Sequence, residues 1–170
     1  MRALRRNGLN RDGAPGFVQS FEVANLKELD TKLKVPIVQL FGSSGQPYDF
    51  VASGDPRTYD DLGTPAGLAE IAAYADGIGP DKARVIPVVA GALGSPTPLV
   101  ANAHAAGLLV HPYTFRNENA FLPASLQKPG LPSDYGDAFA EYSAYFAAGI
   151  DGLFSDNADT AVAARADFLD

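Results

Sequence analysis

One hundred and seventy residues, 46% of them hydrophobic, suffice for one domain with a substantial core and are too apolar for a disordered chain. Thirteen basic residues against twenty acidic ones leave a net charge of −7, which argues against a nucleic-acid partner, and no apolar run reaches the roughly 20 residues of a membrane span. The chain has no cysteine, hence neither a disulfide framework nor thiolate chemistry, and the basic MRALRRNGLN lacks the apolar stretch of a secretory signal.

In chain order, FVQSF (17–21) reads as a strand; Val23, Leu26, Leu29 and Leu33 then recur at helical spacing before IVQLF (37–41) opens the next βαβ unit. Residues 42–63, GSSGQPYDFVASGDPRTYDDLG, are too long for an ordinary connection and predict a long surface loop with a functional or shielding role. Thr64 and Pro65 suit the N-cap and first position of a helix, which leads into the short strand DGIGP (76–80). Its GIG lacks the third glycine of a dinucleotide loop, so a nicotinamide site is rejected.

Thr97 and Pro98 start a helix that runs through Ala106, Gly107 ends it, and LLVHPYTF (108–115) follows as a strand. Asp137 opens a helix with the packing stripe Phe139, Tyr142, Tyr145 and Phe146, and Gly149 closes it. GLFSD (152–156) is a fifth strand, and DTAVAARADFL (159–169) is the last helix. Short apolar strands separated by helices predict a parallel sheet with helices on its outer side.

Polar residues cluster where these strands end: Ser20 and Glu22, Gln39, Asp76, His111 with Arg116 and Glu118, then Ser155 with Asp156. Parallel sheets bind ligands at that end, in barrels and open sheets alike. Arg116 is the foremost candidate for ligand contact, because a guanidinium past a strand end grips phosphate; the competing partner is Glu118 or Asp137 in the same loop. Glu22 and Glu118 offer carboxylate oxygens to a hard cation, or else stand solvated in loops. Asp156 is placed to cap the last helix, and His104 reads as an ordinary surface or helix-packing residue. Strand alternation would send Tyr113 and Phe115 to one side and Thr114 to the other.

The segments FVQSFEVANLKEL, VQLFG, YADGIGPDKARVI, AGLLVHPYTFRNEN and FAAGIDGLFSDNADTAVAAR, in this order, resemble the C-terminal part of the glycerophosphodiester phosphodiesterase family. HPYTFRNE is similar to its periplasmic and secreted branch rather than to the branch that reads WTVN there. The resemblance covers residues 3 to 169 and implies a TIM (β/α)8-barrel type, here a partial barrel of about five parallel strands, the fourth to the eighth. It also implies hydrolysis of glycerophosphodiesters to glycerol 3-phosphate and an alcohol with a divalent cation, calcium or magnesium.

The family's catalytic groups are, as the resemblance implies them, a His-Arg pair after the first strand, Glu-x-Asp after the second, a further histidine, and Glu-x-Lys after the third. None of these stands at a strand end here. The chain has two histidines, and neither His104 nor His111 is assigned as the base, so no catalytic residue is assigned. The resulting expectation is one domain, residues 1–170, the C-terminal portion of a barrel. Arg116, His111, Tyr113, Glu118, Gln39 and Ser20 would lie near the substrate, with Glu22 a weak candidate for metal. Either the side of Tyr113 and Phe115 or that of Thr114 could line a pocket for the carbon face of a glycerol moiety, with Phe115 better suited to the core and Tyr113 left open.

The isolated chain is expected to be inactive, its inward side chains facing water and its open edges favouring self-association. Two rivals remain: a non-enzymatic half-barrel module that self-associates or complements a separate N-terminal half, and an unrelated α/β enzyme in which His111, Arg116 and Asp156 converge.

Overall fold

The computed structural model describes residues 2–170. Helix α1 (Arg2–Arg6) leads through β1 (Val18–Ser20) and α2 (Val23–Asp30) to β2 (Ile37–Phe41). Helices α3 (Tyr48–Ser53), α4 (Tyr59–Leu62) and α5 (Pro65–Ile71) precede β3 (Gly77–Pro80). A small hairpin of β4 (Val88–Val89) and β5 (Ala92–Leu93) comes next, then α6 (Leu99–Ala105), β6 (Leu109–Val110), α7 (Ala138–Ala147) and α8 (Ala158–Leu169).

Strands β1, β2, β3 and β6 lie side by side in chain order, each parallel to the next. That singly wound order is the one strands follow around a barrel; a doubly wound sheet reverses its order partway. The expected fifth strand is irregular. Residues 151–156 run beside 110–115 and exchange hydrogen bonds with them, Phe154 N to the Pro112 carbonyl and Phe115 N to the Phe154 carbonyl among these, but only Phe115 and Ser155 form a parallel bridge. Pro112 has no N–H to give, which interrupts the ladder.

The helices begin and end where local chemistry dictates. Thr64 Oγ1 accepts from Gly67 N at 3.1 Å with Pro65 in the first turn, and an Asp137 carboxylate oxygen accepts from Ala140 N at 3.2 Å. Gly107 and Gly149 hold the left-handed conformation just past α6 and α7, at φ +80° and +87°. Residues 42–63 depart from the expected loop by containing α3 and α4. Thr58 and Asp61 form a reciprocal capping box at the start of α4, and Gly54 at φ +74° ends α3.

The main core lies between the sheet and its helices, where Phe41, Ile78 and Val110 meet Leu26, Leu68, Ile71 and Ala103. Phe115 stacks on Tyr142 with centroids 5.2 Å apart and meets Tyr145 edge-on at 4.9 Å, pairs worth about 0.5–1.5 kcal/mol beyond their buried area.

The inward face is covered only in part: Phe17, Phe21 and Leu109 remain 44%, 38% and 37% exposed, in line with the expectation that it would face water, whereas the middle of the sheet is buried. Val38 is 0% exposed and Leu40 8%. Gly79 makes the room: a Cβ there would lie 2.5 Å from Leu40 Cδ2 and 3.2 Å from Val38 Cγ1. Above this layer Phe17 packs edge-on against His111 at 4.8 Å, and His111 against Phe154 at 6.5 Å.

Candidate functional site

A cavity of about 380 Å³ opens at the C-terminal ends of the strands, lined by Gln19, Phe21, Leu40, Tyr113, Thr114, Phe154, Ser155 and Asp156. Leu40 forms its floor from β2. The loops after β1, after β6 and at residues 154–156 supply the walls. Phe21 meets Tyr113 edge-on at 6.1 Å, and the Tyr113 hydroxyl donates to the Phe41 carbonyl at 2.7 Å, which fixes the ring. Burial first, and then the charge of Asp81, push that phenol up to about 12, so it stays a neutral donor at physiological pH.

Arg116 stands at the edge of this cavity. It pairs with Asp156 at 2.6 Å, and its guanidinium lies 4.4 Å over the Phe121 ring. Its partner is therefore neither Glu118 nor Asp137. Asp156 correspondingly does not cap the last helix; Asn157 is the N-cap residue there, without a side-chain cap bond, and its Oδ1 accepts from Asn117 N at 3.1 Å instead. Ser155 Oγ shares a 2.7 Å hydrogen bond with the Tyr142 hydroxyl and accepts from Asn157 N.

Of the residues expected near a substrate, Tyr113 lines the cavity and Arg116 reaches it through Asp156. Gln39 does not: it is fully buried, its amide nitrogen donates to the Phe21 and Leu40 carbonyls, and its carbonyl accepts from the Tyr74 hydroxyl. Every residue of β2 is buried because both faces of that strand are covered, so polarity alone could not tell its inward from its outward positions. Ser20 also turns away, its Oγ accepting from Glu22 N while the neighbours Gln19 and Phe21 face the cavity. Asp76 precedes β3 rather than ending it and accepts from Ile37 N.

His111 lines a different hollow of about 570 Å³ with Phe17, Leu109 and residues 151–154, and Arg116 is not among its walls. Burial lowers the His111 pKa, with the Asp151 charge opposing. Glu118 is outside both hollows, and its Oε2 is buried without a partner. Tyr113 and Phe115 do not share a side: Phe115 is in the core while Tyr113 and Thr114 both face the cavity. The regular strand ends at Val110, and the alternation ends with it. His104 pairs with Asp151 at 2.9 Å on the helix surface.

Glu22 and Asp49 cap one another's helices, Glu22 Oε2 accepting from Asp49 N and Asp49 Oδ2 from Ala24 N, both at 2.6 Å. Among the described residues no three histidine or carboxylate groups converge as a cation cradle, and Glu22 is committed to α3. The described residues therefore do not supply a complete divalent-cation site of their own.

A second cleft of about 390 Å³ adjoins the first, sharing Tyr113 and Thr114 with it. It contains an ion pair that sequence reasoning missed: Lys82 Nζ lies 2.8 and 3.0 Å from the two oxygens of Glu141, whose side chain is buried. The available signal was the single carboxylate in the apolar stretch AFAEYSAYFAA. Burial raises the Glu141 pKa, and Lys82 opposes that rise. Phe21 and Phe154 were missed as well, each the immediate neighbour of a polar strand-end residue.

The family model of the glycerophosphoryl diester phosphodiesterase family matches residues 3–160. A glycerophosphodiester phosphodiesterase of Arabidopsis thaliana is 35% identical over 143 residues, 84% of this chain and 35% of that protein. One from Haemophilus influenzae is 27% identical over 183 residues, 95% of this chain and 45% of that protein. A solved structure from Agrobacterium tumefaciens bearing the family's name shares the fold, with a TM-score of 0.55, 17% identity, and coverage of 98% of this chain and 49% of that one. The chain thus spans between about a third and a half of these proteins' lengths. A match over nearly all its residues, together with the singly wound parallel sheet, means that this chain belongs to the glycerophosphoryl diester phosphodiesterase family.

Proposed function

We propose that residues 1–170 form the C-terminal, substrate-holding portion of a glycerophosphodiester phosphodiesterase barrel, with its strands corresponding to the fourth through eighth. The observation that carries the reading is the cavity at the strand ends, with its rigid aromatic walls and Arg116 at its rim. Phe21, Tyr113 and Phe154 supply an apolar wall for the carbon face of glycerol, and the guanidinium supplies the counter-charge for the phosphate. HPYTFRNE supports assignment to the periplasmic or secreted branch.

Hydrolysis of a diester calls for a base, an acid for the departing alkoxide and neutralisation of the phosphoryl oxygens. The strand ends of this polypeptide offer a phenol held neutral and an arginine already paired to a carboxylate, and their carboxylates do not complete a cation site of their own. The polypeptide of this length therefore binds but does not hydrolyse. The test is NMR titration of the labelled chain with glycerol 3-phosphate. Shifts centred on Phe21, Tyr113 and Phe154, weakened about tenfold in Arg116→Ala, support the reading; no response at those signals overturns it. Release of glycerol 3-phosphate from glycerophosphocholine by this chain with calcium would overturn its inactivity.

A second, non-enzymatic reading is favoured by the exposure of Phe17 (44%) and Leu109 (37%) beside the hollow at His111. These are the apolar groups with which a half-barrel would pair with another copy or a complementary half. Sedimentation at several concentrations decides whether it self-associates.

A further inference from the structure

We propose that the cleft between the loops after β3 and β6 is the subsite for the alcohol arm of the diester, and that it selects an alcohol carrying an ammonium group over a polyol. The inference rests on the reading of the adjoining cavity given above. The two hollows share Tyr113 and Thr114, so one bound molecule can occupy both. Arg116 stands at their junction, paired to Asp156 of the first and stacked on Phe121 of the second. A phosphate joining two arms belongs at that guanidinium.

The chemistry of the cleft sets the class of its occupant. Ile86, Val88, Phe121, Leu122 and Tyr145 form apolar walls. Most of the polar groups among them are already engaged; among the described residues only the Thr114 hydroxyl and one Asp81 oxygen are not. The Tyr145 hydroxyl is bonded to the carbonyls of Lys82 and Ile86, the Tyr113 hydroxyl donates to the Phe41 carbonyl, and Lys82 is held by Glu141. A polyol could pair with those two groups alone and would leave its remaining hydroxyls without partners there, and unpaired polar groups are costly. A quaternary ammonium has no hydrogen-bond donors and suits aromatic and carboxylate surroundings.

The carboxylate is Asp81. One of its oxygens accepts from Ala83 N at 2.9 Å, and among the described residues Asp81 takes part in no ion pair. Lys82 and Glu141 offset each other, so Asp81 leaves the lining with a negative charge. Its field is felt at both tyrosines: after burial, and for Tyr145 after Glu141, Asp81 adds to the rise of their phenol pKa values.

The labelled chain is titrated separately with choline, glycerol, inositol and glycerol 3-phosphate. Choline is expected to move the amide signals of Lys82, Thr114, Phe121 and Leu122, with glycerol and inositol binding there at least about tenfold more weakly. Asp81→Asn, which retains an oxygen for Ala83 N, weakens choline about fivefold, whereas Asp81→Glu keeps it within about twofold. Absence of a choline response, equal responses to choline and the polyols, or choline binding indifferent to Asp81→Asn each overturn the proposal. Absence of a glycerol 3-phosphate response at Phe21 and Phe154 counts against the central cavity instead, and the choline result still decides the subsite.

Discussion

Phe17, just before β1, meets the edge of His111, just after β6, with ring centroids 4.8 Å apart and planes at 86°. These rings come from opposite ends of the four-stranded sheet. Their contact bridges the two edge strands on the side of the sheet that Leu40 shares, while Leu40 itself lines the neighbouring cavity. Gly152 leaves space for the imidazole, since a Cβ there would fall 2.9 Å from His111 Cδ2.

The placement of His111 makes stability depend on pH. Burial depresses its pKa in the folded state below the ordinary value of about 6.5. The unfolded chain therefore takes up a proton that the folded chain resists. Stability is fully present above about pH 6.5 and is lost as pH falls through the folded-state pKa. Urea midpoints measured between pH 5 and 8 should show this slope, and His111→Phe should flatten it in that window.

Gly79→Ala should destabilise the sheet by about 1–3 kcal/mol, because the new methyl group meets Leu40. Leu40→Ala should cost about 2–5 kcal/mol alone. In the double variant the clash with Leu40 is absent, so the combined loss should be smaller than the sum. Thermal unfolding of all four proteins in a cycle reads this coupling.

Much of this architecture was legible in the sequence, and the exceptions have physical causes. Thr64, Asp137, Gly107 and Gly149 act within one turn of their own position, so they could be read directly. Thr58 and Asp61 were equally local, and the helix they open was overlooked only because the surrounding stretch is rich in Gly, Pro and Ser. The pairing of Arg116 with Asp156 joins residues 40 apart and depends on how two loops meet in space. Ser20 and Gln39 were misassigned because polarity at a strand end does not tell which face a side chain takes.

Lys82→Met should destabilise the fold by about 3 kcal/mol near pH 7, since it leaves Glu141 buried without its counter-ion. Glu141 already has a raised pKa, so the folded state holds its proton more tightly than the unfolded state. Stability accordingly declines as pH rises from the ordinary carboxyl value through the folded-state pKa, and Lys82→Met steepens that decline. Adding Glu141→Gln to Lys82→Met should recover most of the loss at pH 7. Denaturation at pH 4.5 and pH 7.5 distinguishes these outcomes.

Asp156→Asn should leave stability within about 1 kcal/mol, because the ion pair it removes is partly exposed. Glycerol 3-phosphate should bind several-fold tighter, since Arg116 is released and a carboxylate leaves the rim of the cavity. Calorimetric titration of the variant and the parent chain measures the ratio.

Ala90 carries φ +50° in the two-residue turn between β4 and β5, beside Gly91 at φ +80°. Hairpin turns of this hand favour Asn or Gly at the first position. Ala90→Gly or Ala90→Asn should raise stability by about 0.5–1 kcal/mol, a gain readable in thermal unfolding.

Because β1, β2, β3 and β6 are neighbours in space in the order in which they occur along the chain, each new strand–helix unit finds its docking surface already made. Emergence from a ribosome would present them in that same sequence, and each of these strands would find its neighbour on one side already in place. Synthesis and assembly can thus proceed in one direction, strand laid upon strand.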